Sequence, residues 1–393
     1  MKATLRSGSL ILGLSRLGAG AVASMHPKGT GLASTAPATG TKTVLPPPPT
    51  IPPQLVKHAW NTYKDAFIQR DGRVIDHKGG AISTSEGQAY AMVRALWTGD
   101  QVTFGRVLTW AERNLQEGVR EDHLFAWKWG HRDDGSWGVH DPHAASDADQ
   151  LIAWALLGAA KRWRVQAYRS KAIALLGDIW DKEVLQVGER AFLLPGDWSA
   201  KKRPLVLNPS YYLPFAYRAF AEADPDHPWA TLIDTSYLVF EGCRSQMGLP
   251  VDWCHLDLDS GQLTIPLTKE SDFGYEAFRV FWTLAADHRW HGEDRALARL
   301  KDIAWLKRHW AVRGHIPSRI THDGIPREDS PYLGQYGSLL PALASTAPAE
   351  AELMYQRAIS PSWKAGAWGD GSDYYQQNWV WFGLALQSTL EAP

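Results

Sequence analysis

Cysteine is nearly absent. Cys243 and Cys254 are the only two in 393 residues, too few for a disulfide scaffold and without metal-ligand spacing. They either bridge across the short loop between them or stay apart, and spacing alone leaves both open. An excess of either charge is also missing, with 41 Lys and Arg against 42 Asp and Glu and a formal net charge of −1. Such a balance gives no broad electrostatic footprint for nucleic acid or an anionic membrane, and neither is expected as a partner. The 14 His form no His-Glu-x-x-His or His/Cys cluster, so no zinc centre is expected. Gly135-Ser136-Trp137-Gly138 reads as a turn rather than a phosphate loop. Asp133-Asp134 and Asp257-x-Asp259 read as solvated loop acids rather than calcium ligands. The chain is therefore expected to use no metal and no cofactor.

The N-terminus offers little to build with. Lys2 and Arg6 precede a short apolar run from Leu10 to Leu14, and Ala21-Val22-Ala23 resembles a small-residue cleavage site, although Arg16 interrupts the pattern. This weak export signal predicts a secreted or periplasmic protein, and the run is too short to span a bilayer. From Lys28 to Pro53 the chain is rich in Thr, Gly, Ala and Pro and reads as an extended linker. Residues 1–53 are thus a signal-like segment and linker, and residues 54–393 form one folded domain.

Tryptophan is abundant, at 20 residues. It serves two purposes: filling a wide core and offering flat, rigid faces on which sugar rings stack. Alternating apolar runs that would signal strands are almost missing, whereas helical patterns recur over 54–70, 84–98, 101–116, 146–163, 166–183, 209–223, 228–247, 273–289, 292–311, 332–344, 347–359 and 373–389. Segments 101–116 and 292–311 carry charge along one side and read as solvent-facing helices. Segment 146–163 runs Leu151 to Leu157 without a charge, and 373–389 runs Trp379 to Leu386 likewise. A helix apolar all round is buried. Alternating outer and inner helices predict an all-α (α/α)6 barrel, and no fixed sequence period supports the competing stack of helical repeats.

If the even-numbered helices form the inner ring, their N-termini gather at one end. Glu86, Asp147 and Asp149, Tyr211, Glu276, and Tyr374 with Tyr375 open them in turn. Any one acid there is accounted for by capping and the helix dipole, but three acidic openings with aromatics point to a carboxylate-lined groove. Glycoside hydrolysis requires two carboxyl groups flanking the scissile bond. The dipole at Glu86 lowers its pKa, so burial or a like charge such as Asp147 has to raise it again if Glu86 is to donate a proton.

The run from Ala145 to Trp163, Ala-Ser-Asp-Ala-Asp-Gln-Leu-Ile-Ala-Trp-Ala-Leu-Leu-Gly-Ala and onward, resembles the signature of glycoside hydrolase family 8. Thr84-Ser85-Glu86-Gly87 is similar to that family's Ser-Glu-Gly segment, and Ala126-Trp127-Lys128-Trp129-Gly130, Asn208-Pro209-Ser210-Tyr211 and Gly274-Tyr275-Glu276-Ala277-Phe278-Arg279 also have counterparts in order. The resemblance runs from Gln54 to the C-terminus and is greatest to bacterial cellulase-type members. It implies an (α/α)6 barrel, inversion of configuration, no metal and a β-1,4-linked polysaccharide as substrate of an endoglucanase; a monomer is expected. It implies Glu86 as general acid and Asp147 as the residue holding the sugar at the cleavage point. Tyr211, Tyr275 and Arg279 would line that subsite, with Trp127 and Tyr374 as stacking platforms. One departure stands out: cellulase-type members carry an Asp base where this chain has Glu276. Glu has a similar intrinsic pKa but an extra methylene, so the resemblance leaves a working base or a sugar-binding protein with an impaired one. Chitosan, mixed-linkage glucan and xylan remain alternative substrates.

Overall fold

A computed structural model describes residues 47–393; the signal-like segment and most of the linker lie outside the described residues. Helices α1 (Pro53–Phe67), α2 (Ser85–Thr98), α3 (Gln101–Ala111), α4 (Ser146–Trp163), α5 (Gln166–Glu183), α6 (Pro214–Ala223) and α7 (Ala230–Gly242) are followed by α8 (Arg279–His291), α9 (Asp294–Leu300), α10 (Ala304–Arg313), α11 (Leu333–Thr346), α12 (Pro348–Met354) and α13 (Tyr374–Gln387). Helices α2, α4, α6, α8, α11 and α13 each touch the next, and α13 closes onto α2. The others pack outside this ring, with α9 and α10 together taking one outer place. The fold is an (α/α)6 barrel.

Side-chain chemistry explains which helices lie inside. Every residue of α2 from Gly87 to Trp97 is buried, as is every residue of α13 from Gln377 to Leu386. Outer α10 buries only Leu306 and Trp310, one turn apart on a single face. Many tryptophans serve the core: Trp60, Trp229, Trp368 and Trp381 are almost wholly enclosed, and Trp154, Trp282 and Trp290 meet around Phe215. Helices α11 and α13 approach at two glycines. A Cβ on Gly383 would stand 1.8 Å from the Gly337 carbonyl oxygen. Pro341, four residues on, has no N–H to offer that carbonyl, so it is free to lean toward α13. Arg94 is wholly buried and links three helices, donating to Asn378 Oδ1 at 2.9 Å and the Ala59 carbonyl at 3.2 Å, with its guanidinium 4.0 Å from the Tyr63 ring centre.

Three expectations need correction. Strands do occur, as short antiparallel pieces in the loops. Ser83–Thr84, Ala126–His131 and Trp137–Ala144 form one three-stranded sheet, and Leu205–Leu207, Cys254–Leu256 and Leu263–Thr264 form another. Segment 292–311 is two helices, broken where Ile303 turns inward and is buried. Segments 209–223 and 273–289 become helical only at Pro214 and Arg279, because Asn208 first caps a separate 3-10 turn over Pro209–Tyr211 and Asp252 holds the turn before α8. Cys243 and Cys254 are disulfide-bonded, with Cα atoms 5.8 Å apart. At the N-terminal edge Ile51 is fully buried and bridges to Ser388.

Candidate active site

The inner helices deliver their N-termini to one end of the barrel. Thr84 caps α2 by accepting the Gly87 N–H at 3.0 Å, which fixes Glu86 in the first turn. Asp147 lies in the first turn of α4, where one carboxylate oxygen accepts the Ala148 N–H at 2.9 Å. Tyr275 and Glu276 occupy the turn just before α8. Asp252, buried, clamps that turn by accepting the N–H groups of Glu276 at 3.0 Å and Ala277 at 2.8 Å. Only glycine fits at position 274, since a Cβ there would fall 2.4 Å from Asp252 Oδ2.

Arg279 is the hub. It is the first residue of α8 and 2% exposed. One terminal nitrogen donates to Glu86 at 3.1 Å, Asp147 at 3.0 Å and the Tyr90 hydroxyl at 3.2 Å. The other donates to Glu276 and to Ser210 Oγ, the latter at 2.7 Å. Asn208 adds a second donor to Glu276 at 3.1 Å, and the Ser210 hydroxyl lies at 3.4 Å. Glu86, Asp147 and Glu276, three of the four acids read at the helix openings, therefore surround one guanidinium, while buried Asp149 accepts the Phe125 N–H at 3.0 Å.

One positive charge faces three carboxylates here, an arrangement that favours keeping a proton on the buried ones. Burial pushes the Glu86 carboxyl up to about 7; Arg279 opposes the shift and the Asp147 charge adds to it. Burial also raises Asp147, again against Arg279. The influences required to offset the α2 dipole are thus present. Glu276 is held differently: Arg279 and Asn208 both donate to one of its oxygens, and the Ser210 hydroxyl lies 3.4 Å from the same atom. Asp252 is itself raised to about 6 by burial, countered by its backbone partners and Arg319.

Aromatic rings line the approach. Tyr211 lies beneath the Arg279 guanidinium, 5.1 Å from ring centre to carbon, and edge-on to Trp253. Tyr275 packs edge-on against Tyr332. Trp127 is half-buried and lines a cavity of about 550 Å³ with Asp141, His143, Trp198, Lys202 and Tyr211. Tyr374 is placed differently from an open platform: its ring is 8% exposed, and its hydroxyl donates to Glu86 at 2.9 Å. Asn208 and Ser210 stand in a recognisable sequence motif without an assigned role, and Tyr90, Asp252 and Trp198 carry no role in the sequence reading. Tyr90 was within reach, because it stands four residues after Glu86 on the same face of α2. Asp252 carries no local signal at all.

Residues 51–315 match the family described as Glycosyl hydrolases family 8. Among relatives, an endoglucanase of Salmonella typhi is 38% identical over 255 residues, 63% of this chain and 67% of that protein. An endoglucanase of Escherichia coli (strain K12) is 37% identical over 228 residues, 57% of this chain and 60% of that one. The matched stretch thus spans about three fifths to two thirds of these relatives. Among solved structures, an endo-1,4-D-glucanase from Vibrio fischeri superposes with a TM-score of 0.72 at 28% identity, covering 83% of this chain and 93% of that one. An endo-beta-1,4-glucanase from Acetobacter xylinum gives 0.70 at 25% identity, covering 85% and 98%.

Proposed function

The chain belongs to glycosyl hydrolases family 8, and on that premise we propose that it is an inverting endoglucanase that hydrolyses a β-1,4-linked glucan. Glu86 is the general acid and Glu276 the general base. Glu86 gives its proton to the glycosidic oxygen as the bond to C1 breaks. Glu276 takes a proton from the water that attacks C1 from the opposite face, so the anomeric configuration inverts. Asp147 and Tyr211 hold the sugar ring between them, Tyr275 flanks the base, and Trp127 offers a stacking face in the neighbouring cavity. The observation that carries this reading is the division of labour around Arg279. The same guanidinium faces one carboxyl raised by burial to about 7 and another surrounded by donors. Among the described residues none donates to the second oxygen of Glu276, a side chain 28% exposed, and that oxygen receives the proton of the water.

The disulfide between Cys243 and Cys254 supports an oxidising compartment, hence a secreted or periplasmic enzyme. Among the described residues no helix is long and apolar enough to cross a membrane. A monomer acting on polysaccharide fits a site assembled wholly within one barrel.

A second reading, glucan binding without hydrolysis, draws on the ion pair that engages Glu276. Reducing-sugar release separates the two. On carboxymethylcellulose the wild-type chain releases sugar, and Glu86→Gln and Glu276→Ala reduce release to near background while still binding glucan. Wild-type binding without release favours the second reading. Chitosan, mixed-linkage glucan and xylan in the same panel identify the preferred backbone.

A further inference from the structure

The geometry points to a divalent transition-metal site, of the zinc type, on the outer side of the barrel, formed by His309, His315 and Asp329. His309 stands near the end of outer helix α10, His315 follows the Gly314 cap, and Asp329 follows the strand Pro326–Glu328. Their ligand atoms all lie within 4.8 Å of one another. Nε2 of His315 is 2.8 Å and Nε2 of His309 4.0 Å from Asp329 Oδ1.

Two features of the hydrogen bonding leave room for a metal ion. The first is His315, whose ring nitrogens both face acceptors. Nδ1 meets the Arg313 carbonyl at 3.3 Å, and Nε2 meets the Asp329 carboxylate. A neutral imidazole has one N–H and satisfies only one of them. With the proton on Nδ1, a metal ion beside Nε2 satisfies the second, and the Arg313 carbonyl then fixes the tautomer as an outer partner does in metal sites. The second is His309, whose Nε2 is buried with no hydrogen-bond partner among the described residues. Its ring is held by stacking on Trp305, centres 4.8 Å apart, so its lone pair is already aimed.

The donor set suits the ion. Two imidazoles and a carboxylate favour zinc and its neighbours over calcium or magnesium. Tetrahedral zinc with bonds of about 2.0–2.1 Å places its ligand atoms roughly 3.4 Å apart. Small side-chain rotations reach that spacing, since Asp329 is 57% and His315 27% exposed. Water fills the fourth position. The bound ion would tie the end of α10 to the hairpin carrying Arg319 and Glu328, both of which neighbour Tyr275. Sequence spacing hides the site because its ligands come from three separate segments.

The test uses the untagged full chain, stripped with chelator and exchanged into clean buffer, then titrated with zinc by calorimetry and with cobalt(II) by visible absorption. One saturable zinc equivalent is expected, with a tetrahedral cobalt spectrum. His309→Ala and Asp329→Asn should each weaken zinc binding by at least about 100-fold, beyond the ~10–100-fold typical of losing an outer partner. Asp329→Asn keeps the size of an exposed side chain, so its loss of binding does not reflect misfolding; circular dichroism checks this. No saturable binding by the wild type, or wild-type affinity in either variant, overturns the proposal.

Discussion

Replacing Glu86 by Gln should stabilise the protein at alkaline pH while removing most of its activity. The Glu86 carboxyl is raised from 4.5 to about 7, first by burial. A raised acid binds its proton more tightly when folded than when unfolded. Its contribution to stability is therefore complete below pH 4.5 and lost as pH rises toward 7. At about 1.36 kcal/mol per unit, that shift is worth at most about 3.4 kcal/mol above pH 7. The side chain is 20% exposed, and Gln forfeits the charge facing Arg279, so the expected gain at pH 8 is about 1–2 kcal/mol, a few degrees in Tm. At pH 4 the wild-type side chain is itself neutral, and the two proteins should melt together. Thermal melts of both proteins from pH 4 to 8 read this directly. A Tm difference that stays constant over that range refutes the reasoning, because it means that Glu86 titrates as an ordinary carboxyl. In the same variant kcat/KM should fall by about 10²–10⁴, the usual worth of a positioned acid.

In the wild type, kcat/KM should decline tenfold per pH unit above about pH 7 as Glu86 loses its proton, which a pH–rate profile measures. Tyr374→Phe deletes a donor that favours the ionised form of Glu86. The alkaline limb should therefore move upward by about one to two units, the worth of one charge-assisted hydrogen bond. Asp252→Asn weakens the clamp on the Glu276 turn. It should lower kcat by roughly 10–100-fold with KM nearly unchanged, as misplacing a catalytic group does; steady-state kinetics on a soluble glucan tests the split. Gly383→Ala drives a methyl into the Gly337 carbonyl and should cost roughly 3 kcal/mol by overpacking, read as a lower Tm.

The barrel is legible because burial leaves a mark on every turn of an inner helix. Nothing charged interrupts Leu151 to Leu157 or Trp379 to Leu386, and those stretches lie in the ring. The sheets are hidden because pairing is non-local. Leu205–Leu207 joins Cys254–Leu256 across some fifty residues, and three residues show no period. The break between α9 and α10 has neither Gly nor Pro to announce it. Within the site, acids at helix starts are visible from spacing, and their convergence on Arg279 follows from ring closure. The clamp on Glu276 is not visible, because Asp252 sits in an irregular loop and acts through backbone N–H groups. Tyr374 is recognisable as an aromatic opening its helix, but whether it offers a ring face or a hydroxyl is decided by how deeply α13 is buried.

The paired roles of Glu86 and Glu276 are tested most directly by the configuration of the newly formed reducing end. Proton NMR during the first minutes of cello-oligosaccharide hydrolysis, before mutarotation, should show the α-anomer accumulating first. Initial accumulation of the β-anomer would mean that water does not attack directly from the side of Glu276, and the account of this site would be wrong.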